Sequence, residues 1–248
     1  MLSPIPLVVN SVSSYSDVWP MFVGQTSKYY PETKVYFFTD RDLGFDFPDN
    51  YQVIHYKEGQ VYRDQFLSCI TKVPERLCIY VAEDSILYAP VDEKALLDFK
   101  ITMETQDLSF IRFTRGDNYT EEIPIPSQPT LRELRKDQPF YFSLTPHIWK
   151  VGHLTEVHRQ GPRYHIGRTG GPQFEPNASE VCVSLGYRGL QYYNGEPKRG
   201  SVHYDNNVFP YIATALVDGK WNTKEYQAEL TPLLREYDVN TMTRGFYQ

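Results

Sequence analysis

Two acids stand side by side directly after an apolar run: Glu83 and Asp84 follow residues 77–82 (LCIYVA). A carboxylate pair at the end of a buried strand is a hard-oxygen donor set of the kind that takes Mg²⁺ or Mn²⁺. A cation there can hold nucleotide phosphates and neutralise a departing diphosphate. Ser11, Ser13, Ser14, Thr39 and Asp40 also close apolar runs. Arg112 and Arg115, with the basic stretch 159–168, could grip a diphosphate or acceptor phosphates through bidentate bonds. Residues 201–207 (SVHYDNN) concentrate ligand-type side chains around His203 and Asp205. Each group also has a structural reading as a solvated turn or a surface charge. Position in the fold must decide between the two.

The elements that would position these residues follow from periodicity. Residues 7–12 read as a buried β-branched strand with a Ser-rich loop behind it. Ser16 or Asp17 is expected to cap a helix through Trp19 and Phe22 to Tyr29, and Pro31 breaks it. Strands are expected at 34–40, 51–56 and 77–81, with a helix at 61–73. This order predicts an α/β fold with a mostly parallel sheet, in which ligands sit beyond the carboxyl ends of the strands. Ser11, Ser13, Asp40, Glu83 and Asp84 all fall there. Further on, the pattern predicts a strand over 107–115, a polar loop at 116–138 with a short helix at 131–135, and a return to the sheet at 139–144. A helix at 147–157, a mobile basic loop at 158–173, a helix at 178–185 capped by Asn177 and a late helix at 225–237 complete the reading.

Composition narrows the class. The 248 residues carry 25 Lys+Arg against 31 Asp+Glu, a formal charge of −6, with 41% hydrophobic residues, which excludes global disorder. No run approaches the ~18 apolar residues of a membrane span, and the start lacks a signal-peptide pattern. Cys69, Cys78 and Cys182 form no CxxC pair, so neither a disulfide framework nor a zinc ribbon is supported. Cys69 and Cys78 are expected in the core. A soluble protein of the cytoplasm, or of the host cytoplasm if viral, is the expectation. Residues 131–200 hold ten Lys/Arg against six Asp/Glu, leaving that window at +4 and the rest at −10. The later segment is therefore expected to face something anionic.

The segment 77–91 (LCIYVAEDSILYAPV) resembles the strand–acidic motif–strand of GT-A glycosyltransferases. Asp84 falls on the motif's last acid, Glu83 on its middle position, and Ala82 stands where the first acid would be. The opening strand and Ser-rich loop, Thr39-Asp40, residues 142–149 (FSLTPHIW) and residues 211–222 (YIATALVDGKWN) extend the likeness. Together they resemble a viral and bacterial glycosyltransferase group related to the capsid glycosyltransferases of large algal viruses. The resemblance implies a single GT-A-like (Rossmann-like) domain, its mostly parallel sheet flanked by helices. Residues 1–115 would bind the nucleotide sugar, and 116–248, with the C-terminal helix, would face the acceptor.

The same resemblance implies transfer of a hexose or pentose from a nucleotide-diphosphate sugar to an acceptor hydroxyl, with inversion. Donor contacts are then expected from Ser11, Ser13, Asp40, Glu83, Asp84 and Arg112. Asp84 and His203 would hold Mn²⁺ or Mg²⁺, with Asp205 as the alternative to His203. Glu175, an acid expected just before a helix, would be the general base, with Asp117 and Glu180 as alternatives. Trp149 and Trp221 are expected in the core or a lid, Trp221 also lining the sugar pocket. The acceptor could be a glycan, a protein or modified DNA. The basic window favours hydroxymethylated phage or viral bases, whereas the acidic balance and missing DNA-binding motif oppose them. Ala82 favours an inactive nucleotide-sugar or glycan-binding relative.

Overall fold

A computed structural model of the chain describes residues 4–115, 124–137, 140–161, 171–200 and 203–247. Its first half follows the periodicity closely. Leu7–Asn10 forms β1, and Trp19–Tyr29, with Pro20 in its first turn where a missing N–H costs nothing, forms α1. Val35–Thr39 and Tyr51–His55 are β2 and β3, Tyr62–Ile70 is α2, and Leu77–Ala82 is β4. After Ile86–Leu87 (β5) comes α3, Glu93–Thr105, capped by Asp92, whose carboxylate accepts the Ala95 N–H at 2.9 Å.

The second half has Phe110–Arg112 (β6), Pro124–Ile125 (β7), Gln128–Glu133 (β8), His147–Lys150 (β9), Val151–Gln160 (α4), Gly171–Ser184 (α5) and Gly189–Tyr192 (β10). Short ladders follow: Lys198–Arg199 (β11), His203–Tyr204 (β12), Tyr211–Ile212 (β13), Leu216–Val217 (β14) and Lys220–Trp221 (β15), then α6, Gln227–Glu236.

One large sheet carries the order β3-β2-β1-β4-β9-β6-β10-β8-β7. The four leading strands are parallel, and across the whole sheet only β8 and β9 run against the rest. The strand order turns back between β1 and β4, so the loops after them flank the crevice where such sheets bind ligands. Alternation along β1 sends Leu7 and Val9 into the cluster under α1 and α3, and Val8 into the cluster under α2, α4 and α5. Both faces are covered, which is why the central strands read as continuous apolar runs. A third cluster holds α6 and Trp221 against Val18, Met21 and Ile86.

Several expected elements differ. Residues around 131–135 extend β8, because Leu131 and its neighbours pair antiparallel with β10, a long-range partner that no local pattern shows. The strand expected over 107–115 shortens to β6. Where a strand is expected at 139–144, residues 140–144 form an irregular strap, and the helix expected at 147–157 divides into β9 and α4, the latter reaching Gln160. Thus His158 and Arg159 close a helix rather than open a basic loop, whose residues 162–170 lie outside the described residues. Asn177 is not at the start of a helix. It lies inside α5, which contains Pro176 and begins at Gly171. Neither Ser16 nor Asp17 caps α1 through its side chain.

The loop after β1 is fixed by Asp40, at the end of β2. Its Oδ1 accepts the Ser13 N–H at 2.6 Å and its Oδ2 the Ser13 hydroxyl at 2.7 Å. Burial opposes the Asp40 charge, but these bonds outweigh it and hold the carboxyl below its ordinary range. Asp40→Ala removes both bonds to a charged acceptor. A loss of about 1.5–3 kcal/mol is expected in urea denaturation, and an unchanged midpoint would mean that the loop is held elsewhere.

His158 is fully buried, its ring stacked 3.8 Å from that of Phe66. Because the Leu154 carbonyl can only accept, Nδ1 must carry the proton of their 2.9 Å bond. Burial pushes this imidazole down to about 4 from an ordinary 6.5. The unfolded chain therefore binds a proton there first, and stability drains away as the pH drops from about 6.5 to about 4. His158→Phe keeps the stacked ring and removes this contribution, up to about 1.4 kcal/mol per pH unit. Its urea midpoint should fall less steeply with acid than that of the wild type.

Candidate active site

The acid pair ends β4 as the sequence predicts. Glu83 is buried and Asp84 only partly exposed. Burial, together with the charge of Asp84, pushes Glu83 up to about 8. Burial alone drives Asp84 up, to about 6, against backbone N–H bonds from its own amide and that of Leu216. Two carboxylates in this state offer hard oxygens whose charge a cation would stabilise.

Beside them, across β1, lie the residues expected to meet the donor. Ser11 is buried. Its hydroxyl accepts the Trp19 Nε1–H at 2.8 Å and its carbonyl the Tyr56 hydroxyl at 2.7 Å. Ser13 and Asp40 bind each other as described, and the exposed Arg41 leans on Asp40 at 3.3 Å. Ser11, Ser13, Asp40, Glu83 and Asp84 therefore gather on one edge of the sheet.

Arg112 falls elsewhere. It is 3% exposed and donates to the Phe140 carbonyl at 2.8 Å and to Gln191 Oε1 at 2.6 Å, and its charge bears on Glu175. Glu175 lies inside α5 and is partly exposed. Its Oε1 accepts the Leu144 N–H at 2.7 Å. Burial raises its pKa, while that N–H and Arg112 pull it back. The strap before β9 is pinned around it. Phe142 N–H donates to the Ser179 hydroxyl at 2.9 Å, and His147 Nδ1 donates to the Thr145 carbonyl at 2.5 Å. His147 lies in register between Tyr80 and Arg112, fully buried, and burial with the nearby Arg112 charge pushes it down to about 3.

Glu175 and Glu83 both bear on two tyrosines that the sequence reading passed over. The Tyr62 and Tyr80 hydroxyls lie 2.5 Å apart, both nearly buried. Burial first, with the charges of Glu83 and Glu175 behind it, holds both phenols protonated; their shared bond raises Tyr62 and lowers Tyr80. A second missed residue is Arg244, in the segment after α6. Its guanidinium pulls against the raised pKa values of Glu83 and Asp84 alike.

Other candidates are placed differently. His203, on β12, is desolvated with Glu225 as its charged neighbour. Asp205 is bonded to Arg199 at 3.1 and 3.2 Å. Glu180 is exposed on α5, and Asp117 lies outside the described residues. Arg115 lies 3.8 Å over the Tyr193 ring. Trp149 and Trp221 are both fully buried in the core, and Cys69 and Cys78 are core as expected. Among the described residues no three His, Cys, Asp or Glu side chains gather as a ready metal site, and no helix is long and apolar enough to cross a membrane. A cavity of about 550 Å³ opens at the opposite end of β4, between Arg76, Lys150 and His153, and none of the expected site residues lines it.

No protein-family profile matches the chain, and no curated protein matches it. Among solved structures it is similar to apo UDP-glucose pyrophosphorylase, with a TM-score of 0.51 and 7% identity over 94% of this chain and 98% of that one. It is similar to S. aureus TarS, with a TM-score of 0.50 and 11% identity over 98% of this chain and 40% of that one. Bifunctional IspDF from Campylobacter jejuni gives a TM-score of 0.47 and 13% identity over 78% of this chain and 50% of that one. The chain thus spans half or less of the latter two. At such identities the likeness is one of fold: a large, mostly parallel sheet flanked by helices, with its crevice at the turn in strand order.

Proposed function

We propose that the chain is a glycosyltransferase that moves a sugar from a nucleotide-diphosphate donor to an acceptor hydroxyl, with inversion. The observation that carries this reading is that Glu83, beside Asp84 at the end of β4, and Glu175 both bear on the hydroxyl-bonded Tyr62–Tyr80 pair. Residues 1–115 then supply the donor side and 116–248 the acceptor side, as the resemblance to the viral and bacterial group implies.

Each residue has a definite task in this scheme. Asp84, with Glu83, supplies carboxylate oxygens for a divalent cation, which needs only one or two protein carboxylates when substrate phosphates complete its shell. Such a cation, when bound, neutralises charge on the departing diphosphate. His203 has Glu225 as its charged neighbour, so the acids carry the proposal. Glu175 takes the proton of the acceptor hydroxyl as that oxygen bonds to the anomeric carbon. The bond from that carbon to the diphosphate breaks, and the nucleoside diphosphate leaves with the electron pair. A base half-withdrawn from water, with one oxygen fixed by the Leu144 N–H, is poised for this step.

A glycan or protein hydroxyl suits the described residues better than DNA. In the basic window, Arg135 pairs with Asp137, Arg159 with Glu156, Arg188 with Glu133 and Arg199 with Asp205. Positive charge bound up in this way offers little to a phosphate backbone.

Release of nucleoside diphosphate from a panel of nucleotide sugars with Mn²⁺ tests the activity, and release of pyrophosphate would point to nucleotidyl transfer instead. Asp84→Asn is expected to lose donor and Mn²⁺ binding together; separate loss would detach the cation from Asp84. Glu175→Gln retains an acceptor for the Leu144 N–H but is no base. Turnover should fall about 10²–10⁴-fold with donor affinity unchanged, and unchanged turnover would leave Glu175 as a pin for the strap.

A further inference from the structure

Arg244 is held more completely than a surface arginine requires. Its Nε and one Nη donate to the two oxygens of Asp17 at 2.6 and 2.5 Å. The same Nη donates to the Ser14 carbonyl at 3.1 Å, the other Nη to the Gly219 carbonyl at 3.3 Å, and the guanidinium lies 4.3 Å over the Tyr15 ring. Ser14, Tyr15 and Asp17 belong to the turn after β1, the strand beside β4. A guanidinium fork, whose geometry suits phosphate as well as carboxylate, is thereby fixed next to the acid pair.

Its partner has no other evident task. The Asp17 carboxylate caps nothing, because α1 begins from Val18 without a side-chain cap bond. Asp17 is also the more exposed of the two, at 31% against 10% for Arg244. We propose that Asp17 is an internal stand-in for phosphate: Arg244 is a contact for the donor's diphosphate, and Asp17 occupies it until the diphosphate arrives. This rests on the nucleotide-diphosphate reading above. One exchange of anions would then tie the segment after α6 to donor occupancy.

Calorimetric titration with UDP, GDP, CDP and ADP, each beside its nucleoside and with Mg²⁺ present, tests the exchange. Arg244→Gln is expected to weaken the diphosphate that binds by about 10–100-fold, the worth of a lost charged bond, and to leave its nucleoside unchanged. Asp17→Asn, which removes the competing charge, is expected to tighten the same diphosphate. Weaker or unchanged binding in Asp17→Asn would make the pair purely structural and overturn the proposal. If circular dichroism shows Arg244→Gln unfolded, Arg244→Lys keeps the charge without the fork and should show a smaller loss of the same kind. A wild type that binds no nucleoside diphosphate overturns the functional reading and the exchange together. Diphosphate binding that is indifferent to both substitutions overturns the exchange alone.

Discussion

Adjacent carboxylates at the head of a buried strand are hard to keep ionised, because desolvation and mutual repulsion both favour the proton. Glu83 and Asp84 are in that position, and much of the molecule answers to it. The guanidinium of Arg244 approaches from the far end of the chain. Three tyrosines, Tyr56, Tyr62 and Tyr80, are kept protonated by burial, and the charge of Glu83 adds to it. Asp40 is drawn away into bonds with Ser13, where its charge is satisfied locally. The crevice is thus organised around a local excess of negative charge that the protein tempers without cancelling.

The opposite wall uses a different device. Glu175 sits in a helix, yet what fixes its carboxylate is the irregular strap before β9, through the Leu144 N–H. Arg112, bonded to the Phe140 carbonyl and Gln191, supplies positive charge that bears on Glu175. The fold is shared widely by unrelated chemistries, so it is this pairing of a negative edge with a charge-balanced acid that gives the site its character.

The sequence exposed the edge of Asp40 and Asp84 well and the wall of Glu175 poorly, for a physical reason. Strands β1, β2 and β4 are buried on both faces, so their apolar runs mark both their extent and the loops that follow them. Asp40 and Asp84 could be placed from that alone. Strand β8 carries a half-exposed, charged pattern whose strand character comes from pairing with β10, about sixty residues later in the chain as the registers run. The apolar stretch from His147 onward fits a strand or a helix by periodicity, and it proves to be one followed at once by the other. The helix expected at 178–185 behind an Asn177 cap begins at Gly171 and contains Pro176, so Glu175 lies inside the helix it was expected to precede. Arg244 could not have been found locally, since its partner lies 227 residues away.

That separation also bears on how the chain is built. Synthesis runs from the amino end, and domains begin folding as they emerge. Strands β1 to β4, with their local helices, can assemble while Arg244 has yet to be made. Closing so long a loop is entropically slow to reward, so the guanidinium joins the crevice among the last contacts formed. A nascent or truncated chain ending before residue 244 would display the acid pair and Asp17 without the guanidinium that tempers them, an edge of unrelieved negative charge.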